Sequence, residues 1–90
     1  MAGNVRIYVE WGYEGHSLLL SLSDWQRAQA GEVLACEGGG YWHEGEFYRD
    51  FWEFRSGELK VSYQLGDDPI TRGDGFHGSF EELDVEFDEK

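Results

Sequence analysis

Carboxylates are the side chains this sequence spaces most regularly. Glu81, Glu82, Asp84, Glu86, Asp88 and Glu89 place six of them between positions 81 and 89, opposed only by Lys90. Asp84, Glu86 and Asp88 alternate with Leu83, Val85 and Phe87, the period of a strand with one apolar face. Alternate residues on a strand stand about 6.8 Å apart. That is about two base-pair rises of a nucleic acid, at about 3.4 Å each. The chemistry on offer is charge recognition: a row of anions at a pitch that a phosphate-gripping surface accepts. The plainer reading is a solvated edge strand whose charges repel other edges. Asp67, Asp68 and Asp74 add carboxylates in a nearby turn-rich stretch and join the row as candidate contacts.

Other chemistries fit less well. Asp67, Asp68 and Asp74, with His77 behind them, lack the spacing and the closing glutamate of a calcium loop, and aspartate is a common turn residue. Arg72-Gly73-Asp74 spells an adhesion tripeptide, but three residues match by chance too often to carry a function. Cys36, His16, His43 and His77 show no close pair of the kind zinc sites use. Cys36 with His43 would make a thiol–imidazole nucleophile; the alternative is a core thiol and a loop histidine. Glu44 and Glu46 beside Tyr41 and Trp42 suggest paired-carboxylate hydrolysis, which needs a cleft that so small a domain seldom builds. No catalytic residue, metal or cofactor is expected.

The elements that must position these residues are short. Thirteen glycines and one proline cut the chain at close intervals, which favours strands over long helices. Val5, Ile7, Val9 and Trp11 alternate with Arg6, Tyr8 and Glu10, and Leu18, Leu20 and Leu22 continue the period of two with Ser17, Leu19 and Ser21 between them, so 5–11 and 16–22 read as a hairpin turning at 12–15. Ser23 as N-cap with Gln26 three residues on predicts a helix over 24–30, anchored by Trp25 and stopped by Gly31. A short strand is expected over 33–36, and Gly38-Gly39-Gly40 reads as a loop or a point of close approach. Around Ser56-Gly57, one register pairs Arg55 with Glu58, Phe54 with Leu59, Glu53 with Lys60 and Trp52 with Val61. A slip of one residue breaks the charged and the apolar set together, so 50–63 is a hairpin of fixed register. Residues 66–78 read as a long loop with Phe76 turned inward, and 83–88 as the acidic strand. The expected fold is α+β and strand-dominated: one domain over 1–90, an antiparallel sheet of about five strands and one short helix.

Nineteen acidic residues against seven basic ones give a net charge of −12, which excludes a generic nucleic-acid binder. An aromatic content of 17% excludes simple disorder. A lone cysteine excludes an internal disulfide. The longest apolar run, Leu18–Leu20, is far short of a membrane span, and Met1–Arg6 lacks the regions of a signal peptide, so a cytoplasmic location is expected. Seven aromatics between Tyr41 and Phe54 occupy both parities, so they form either a core seen from two sides or an exposed interaction patch.

In chain length, charge and the acidic run Glu81 to Glu89, the sequence resembles the small acidic phage-encoded inhibitors, including anti-CRISPR proteins and other DNA mimics. That resemblance implies a stoichiometric inhibitor occupying the nucleic-acid groove of a basic partner, without contact to nucleic acid or membrane. Bacterial immunity proteins, which neutralise basic nuclease toxins, are a second class of the same kind. Both rest on an acidic surface steered onto lysine and arginine. A third reading is a small β-module that binds a peptide or small ligand through the aromatic patch.

Overall fold

A computed structural model describes residues 3–12 and 14–89, and of Glu89 the backbone only. Tyr13, in the expected 12–15 turn, and Lys90, the cation beside the acidic run, lie outside the described residues, as does the side chain of Glu89.

The two alternating stretches at the start of the chain form a hairpin of β1 (Gly3–Trp11) and β2 (Glu14–Ser21). Val5 lies opposite Leu20 and Ile7 opposite Leu18, so one face of the pair is apolar and buried. The acidic strand β8 (Asp84–Glu89) pairs antiparallel with the other edge of β1. These three strands make a sheet of order β2-β1-β8.

The helix α1 (Leu22–Gln29) starts earlier than the capping box at Ser23 predicts. Ser21 is the N-cap, and its hydroxyl accepts from the Asp24 N–H at 3.2 Å. The earlier start adds to the front of the helix and brings Leu22 onto the core-facing stripe of Trp25 and Ala28. Packing therefore decides between two available serine caps. Trp25 is the expected anchor: it is buried, with its ring centroid 5.3 Å from that of Phe80 and 6.3 Å from that of Phe54.

The remaining strands are β3 (Leu34–Glu37), β4 (Tyr41–His43), β5 (Glu46–Arg55), β6 (Glu58–Leu65) and β7 (Gly73–Ser79). They form an antiparallel sheet of the expected five strands, though β4 and β7 take places in it that the sequence reading did not assign, with β5–β6 at its centre in the register the side-chain pairs dictate. Trp52, Phe54, Leu59 and Val61 are essentially inaccessible to solvent. Burial of each is worth roughly 1.5–3 kcal/mol. With Val5, Ile7, Val9, Leu18, Leu20, Trp25 and Ala28 they make one core shared by both sheets. The first hairpin and the acidic strand thus stand in a second sheet, which strand periodicity alone does not separate from the first.

Residues 73–79 correct the expectation of a loop: they are strand β7, paired with β6. Glycines that read as turn signals serve here as points of close approach. A Cβ on Gly73 would stand 2.8 Å from the Tyr63 ring, and one on Gly75 would stand 2.8 Å from the Trp11 ring. Between the pairs Val61–Phe76 and Ser62–Asp74 the register shifts and leaves Gly75 as the extra residue of a bulge. Phe76 packs against the core, as its inward placement requires.

Candidate functional site

The carboxylate row stands on β8 as the alternation dictates. Asp84, Glu86 and Asp88 are exposed and lie across β1 from Tyr8, Arg6 and Asn4. Leu83 and Val85 are half-buried against the core, while Phe87, at the open end of this edge strand, keeps 56% of its surface exposed. Among the described residues, no lysine, arginine or histidine comes within ion-pair distance of the three carboxylates; Arg6, the cross-strand neighbour of Glu86, makes no ion pair with it. Glu81 is exposed in the 3-10 turn Phe80–Glu82 before β8. Glu82 serves the backbone instead, because its carboxylate accepts from the Ser79 N–H at 2.7 Å and closes a capping box. At the Asp84 end of the row, Glu10, Glu82 and Asp84 line one shallow recess with Tyr8 and Phe76.

The other candidate carboxylates belong to the five-stranded sheet and its turns. Asp67 pairs with Arg49, Asp68 caps the 3-10 turn Pro69–Thr71 by accepting from the Ile70 N–H at 3.0 Å, and Asp74 pairs with Lys60 at 3.6 Å. These three have local partners, whereas the row on β8 has none among the described residues.

Cys36 and His43 are not brought together. Cys36 sits opposite Trp52 and His43 opposite Glu46, six residues apart along β5, or roughly 20 Å. Burial pushes the Cys36 thiol above its ordinary range, which lowers its thiolate fraction near pH 7.

In the aromatic stretch 41–54, Phe51 is half-buried with the Arg72 guanidinium 4.7 Å from its ring centroid, and the other six divide three ways. Trp52 and Phe54 are core. Trp42 and Phe47, paired across the β4–β5 hairpin with centroids 5.3 Å apart, face solvent, and Trp42 is 68% exposed. The hairpin turns through Glu44 and Gly45, both at positive φ, so these two rings stand on a tight, regular arm. Tyr41 and Tyr48 point to the opposite side of that arm and meet Trp11, His16 and Tyr63 around a pit of about 440 Å³. Sequence reasoning missed this pit. Its six rings come from β1, β2, β4, β5 and β6, with Tyr41 and His43 both on β4, and no local spacing links the five strands.

Asp50 ties the loop that leads into the arm. It is buried, and its two oxygens accept from the Gly40 N–H at 2.8 Å and the Trp52 indole N–H at 2.6 Å. Its backbone carbonyl takes the Gly38 N–H at 2.9 Å. A Cβ on Gly38 would collide with the Asp50 carboxylate, so the glycine run is the close-approach point its composition suggests.

No protein-family model, curated protein or solved structure matches the chain. Among the described residues no helix is long and apolar enough to cross a membrane.

Proposed function

We propose that this chain is a non-catalytic, acidic protein-binding module. It occupies the nucleic-acid-binding surface of a basic partner in the manner of a DNA mimic. The single observation behind the reading is the exposed row Asp84, Glu86 and Asp88 on an edge strand, which makes no ion pair among the described residues and is extended at one end by Glu10. Strand geometry fixes the spacing of these charges in advance, so little conformational entropy is lost when a partner binds them. The net charge of −12 supplies long-range attraction toward lysine- and arginine-rich grooves. An immunity protein directed at a nuclease toxin would use the same surface and differs only in the partner it captures.

The test is the combined reversal Asp84→Lys, Glu86→Lys and Asp88→Lys. These side chains face water, so folding stability should change by no more than about 1 kcal/mol. Affinity for a partner captured from lysate at low salt should fall at least about 100-fold, chiefly through the association rate. The wild-type complex should weaken as salt shortens the Debye length to about 8 Å and below, and the captured partner should lose its nucleic acid. A folded triple variant that binds at wild-type strength across salt concentrations would sink this reading. Trp42, the large apolar side chain most exposed on the β4–β5 arm, supports a second contact surface. Trp42→Ala weakening the complex while the triple reversal leaves it intact would move the interface there.

A further inference from the structure

The pit between the first hairpin and the β4–β5 arm is independent of the acidic row. Four of its rings close a circuit. Neighbouring centroids lie 5.9 Å apart for Trp11 and Tyr41, 5.5 Å for Tyr41 and Tyr48, 6.0 Å for Tyr48 and Tyr63, and 6.5 Å for Tyr63 and Trp11. Trp11 meets Tyr41, and Tyr48 meets Tyr63, at 71°. Rings at such angles form corners, and a group seated in a corner lies against a ring face on at least one side. Of the two imidazoles that also line the pit, His16 stacks on Trp11 at 3.4 Å and holds the indole in place. Gly75 lets the β7 backbone come against the same indole.

Apart from its two imidazoles, His16 and His43, the ionisable groups in and beside the pit are carboxylates and phenols. Among the described residues, no lysine or arginine lines it. Glu14 stands in its wall, half-exposed, 3.9 Å from His43. The buried carboxylate of Asp50 is close enough to act through its charge on both His16 and Tyr41. Burial outweighs both carboxylates at His16 and keeps that imidazole below its ordinary range, hence neutral near pH 7. The His16 Nε2 is buried without a hydrogen-bond partner. Aromatic walls, carboxylates with no lysine or arginine partner among the described residues, and a neutral His16 are surroundings that favour a bulky, weakly hydrated cation over a metal ion or an anion.

We propose that this pit is a binding site for an organic ammonium cation, a methylated or quaternary ammonium group carried by a small molecule or a lysine side chain. The alkyl surface of such a group packs on the rings, and its diffuse charge is attracted by ring quadrupoles and by Glu14. A primary ammonium gains less, because it keeps a tighter hydration shell.

The experiment is a calorimetric and NMR titration of the full chain with choline. The neutral isostere 3,3-dimethyl-1-butanol is the reference. Choline should bind at least about tenfold more tightly than the isostere and shift resonances of Trp11, Tyr48 and Tyr63. Tyr48→Leu should cost about tenfold or more, and Tyr48→Phe should bind within about twofold of wild type, because the ring and not the hydroxyl is used. Glu14→Gln, an exposed change that does not threaten folding, should weaken choline severalfold and leave the isostere unaffected. A trimethyl-lysine peptide beside its unmethylated form separates the two sources of the group: the tighter of peptide and choline names the source. Equal binding of choline and isostere, no binding of any methylated ammonium, or an unchanged affinity in Tyr48→Leu and Glu14→Gln together would overturn the proposal.

Discussion

His16 carries the most legible pH dependence in the molecule. Trp11 of β1, Glu14 of its own strand, Tyr41 of β4 and Asp50 of β5 surround it, and burial wins over the two carboxylates to lower its pKa. The folded state therefore holds the proton less tightly than the unfolded chain, whose histidine titrates near about 6.5. Stability from this group is full above that value. It is lost as pH falls through the unfolded pKa toward the folded one, because the unfolded state then binds more protons. Urea unfolding at pH 7.5 and 5.5 should show this loss in the wild type and a smaller one in His16→Phe. At pH 7.5 the variant should stay within about 1 kcal/mol of wild type, since it removes a buried nitrogen that has no partner. An equal acid loss in both proteins would assign the slope to other groups. The role of His16 was invisible in the sequence, where it is one of three histidines without a metal-like spacing. Its burial arises from the cross-strand register that sets it opposite Val9.

At the scale of elements, legibility follows the range of the interactions that decide them. The β5–β6 hairpin could be read to the residue because each pair that fixes its register lies within ten positions of its partner. Strand β7 could not. Its glycines at 73 and 75 are explained by Tyr63 and Trp11, one of them sixty-four positions away in sequence. The start of α1 slipped for a similar reason, since local capping offered two serines and tertiary packing chose Ser21. The turn of the central hairpin still has room for improvement. Ser56 and Gly57 both sit at positive φ, as a tight two-residue turn demands, but serine is a poor occupant of that conformation. Ser56→Asn should raise stability by about 0.5–1 kcal/mol, measured by chemical denaturation with an unchanged m-value. A loss of stability would mean that the serine makes a compensating contact.

For the whole molecule, charge sets two opposed responses to salt. A net charge of −12 on ninety residues repels itself in the compact state. Cations are concentrated on and beside the five-stranded sheet, where Arg49, Arg55 and Lys60 pair with Glu37, Asp67, Glu53 and Asp74, while Asp84, Glu86 and Asp88 make no ion pair among the described residues. Raising sodium chloride from about 0.02 M to about 0.5 M shortens the screening length several-fold, so the melting temperature should rise while partner affinity falls. A melting temperature that drops with salt would mean that the exposed ion pairs outweigh the net charge. The loop held by Asp50 bears on how such a molecule avoids stacking on its own copies. Residues 34–43 run along one flank of β5, and without the interruption at Gly38–Gly40 they would form a single long border strand. The glycine loop divides that border into pieces of four and three residues. Neither piece offers a neighbouring chain enough consecutive donors and acceptors to start a cross-β stack. A run of three glycines that looks like slack in the chain thus keeps this one border from offering a long pairing edge.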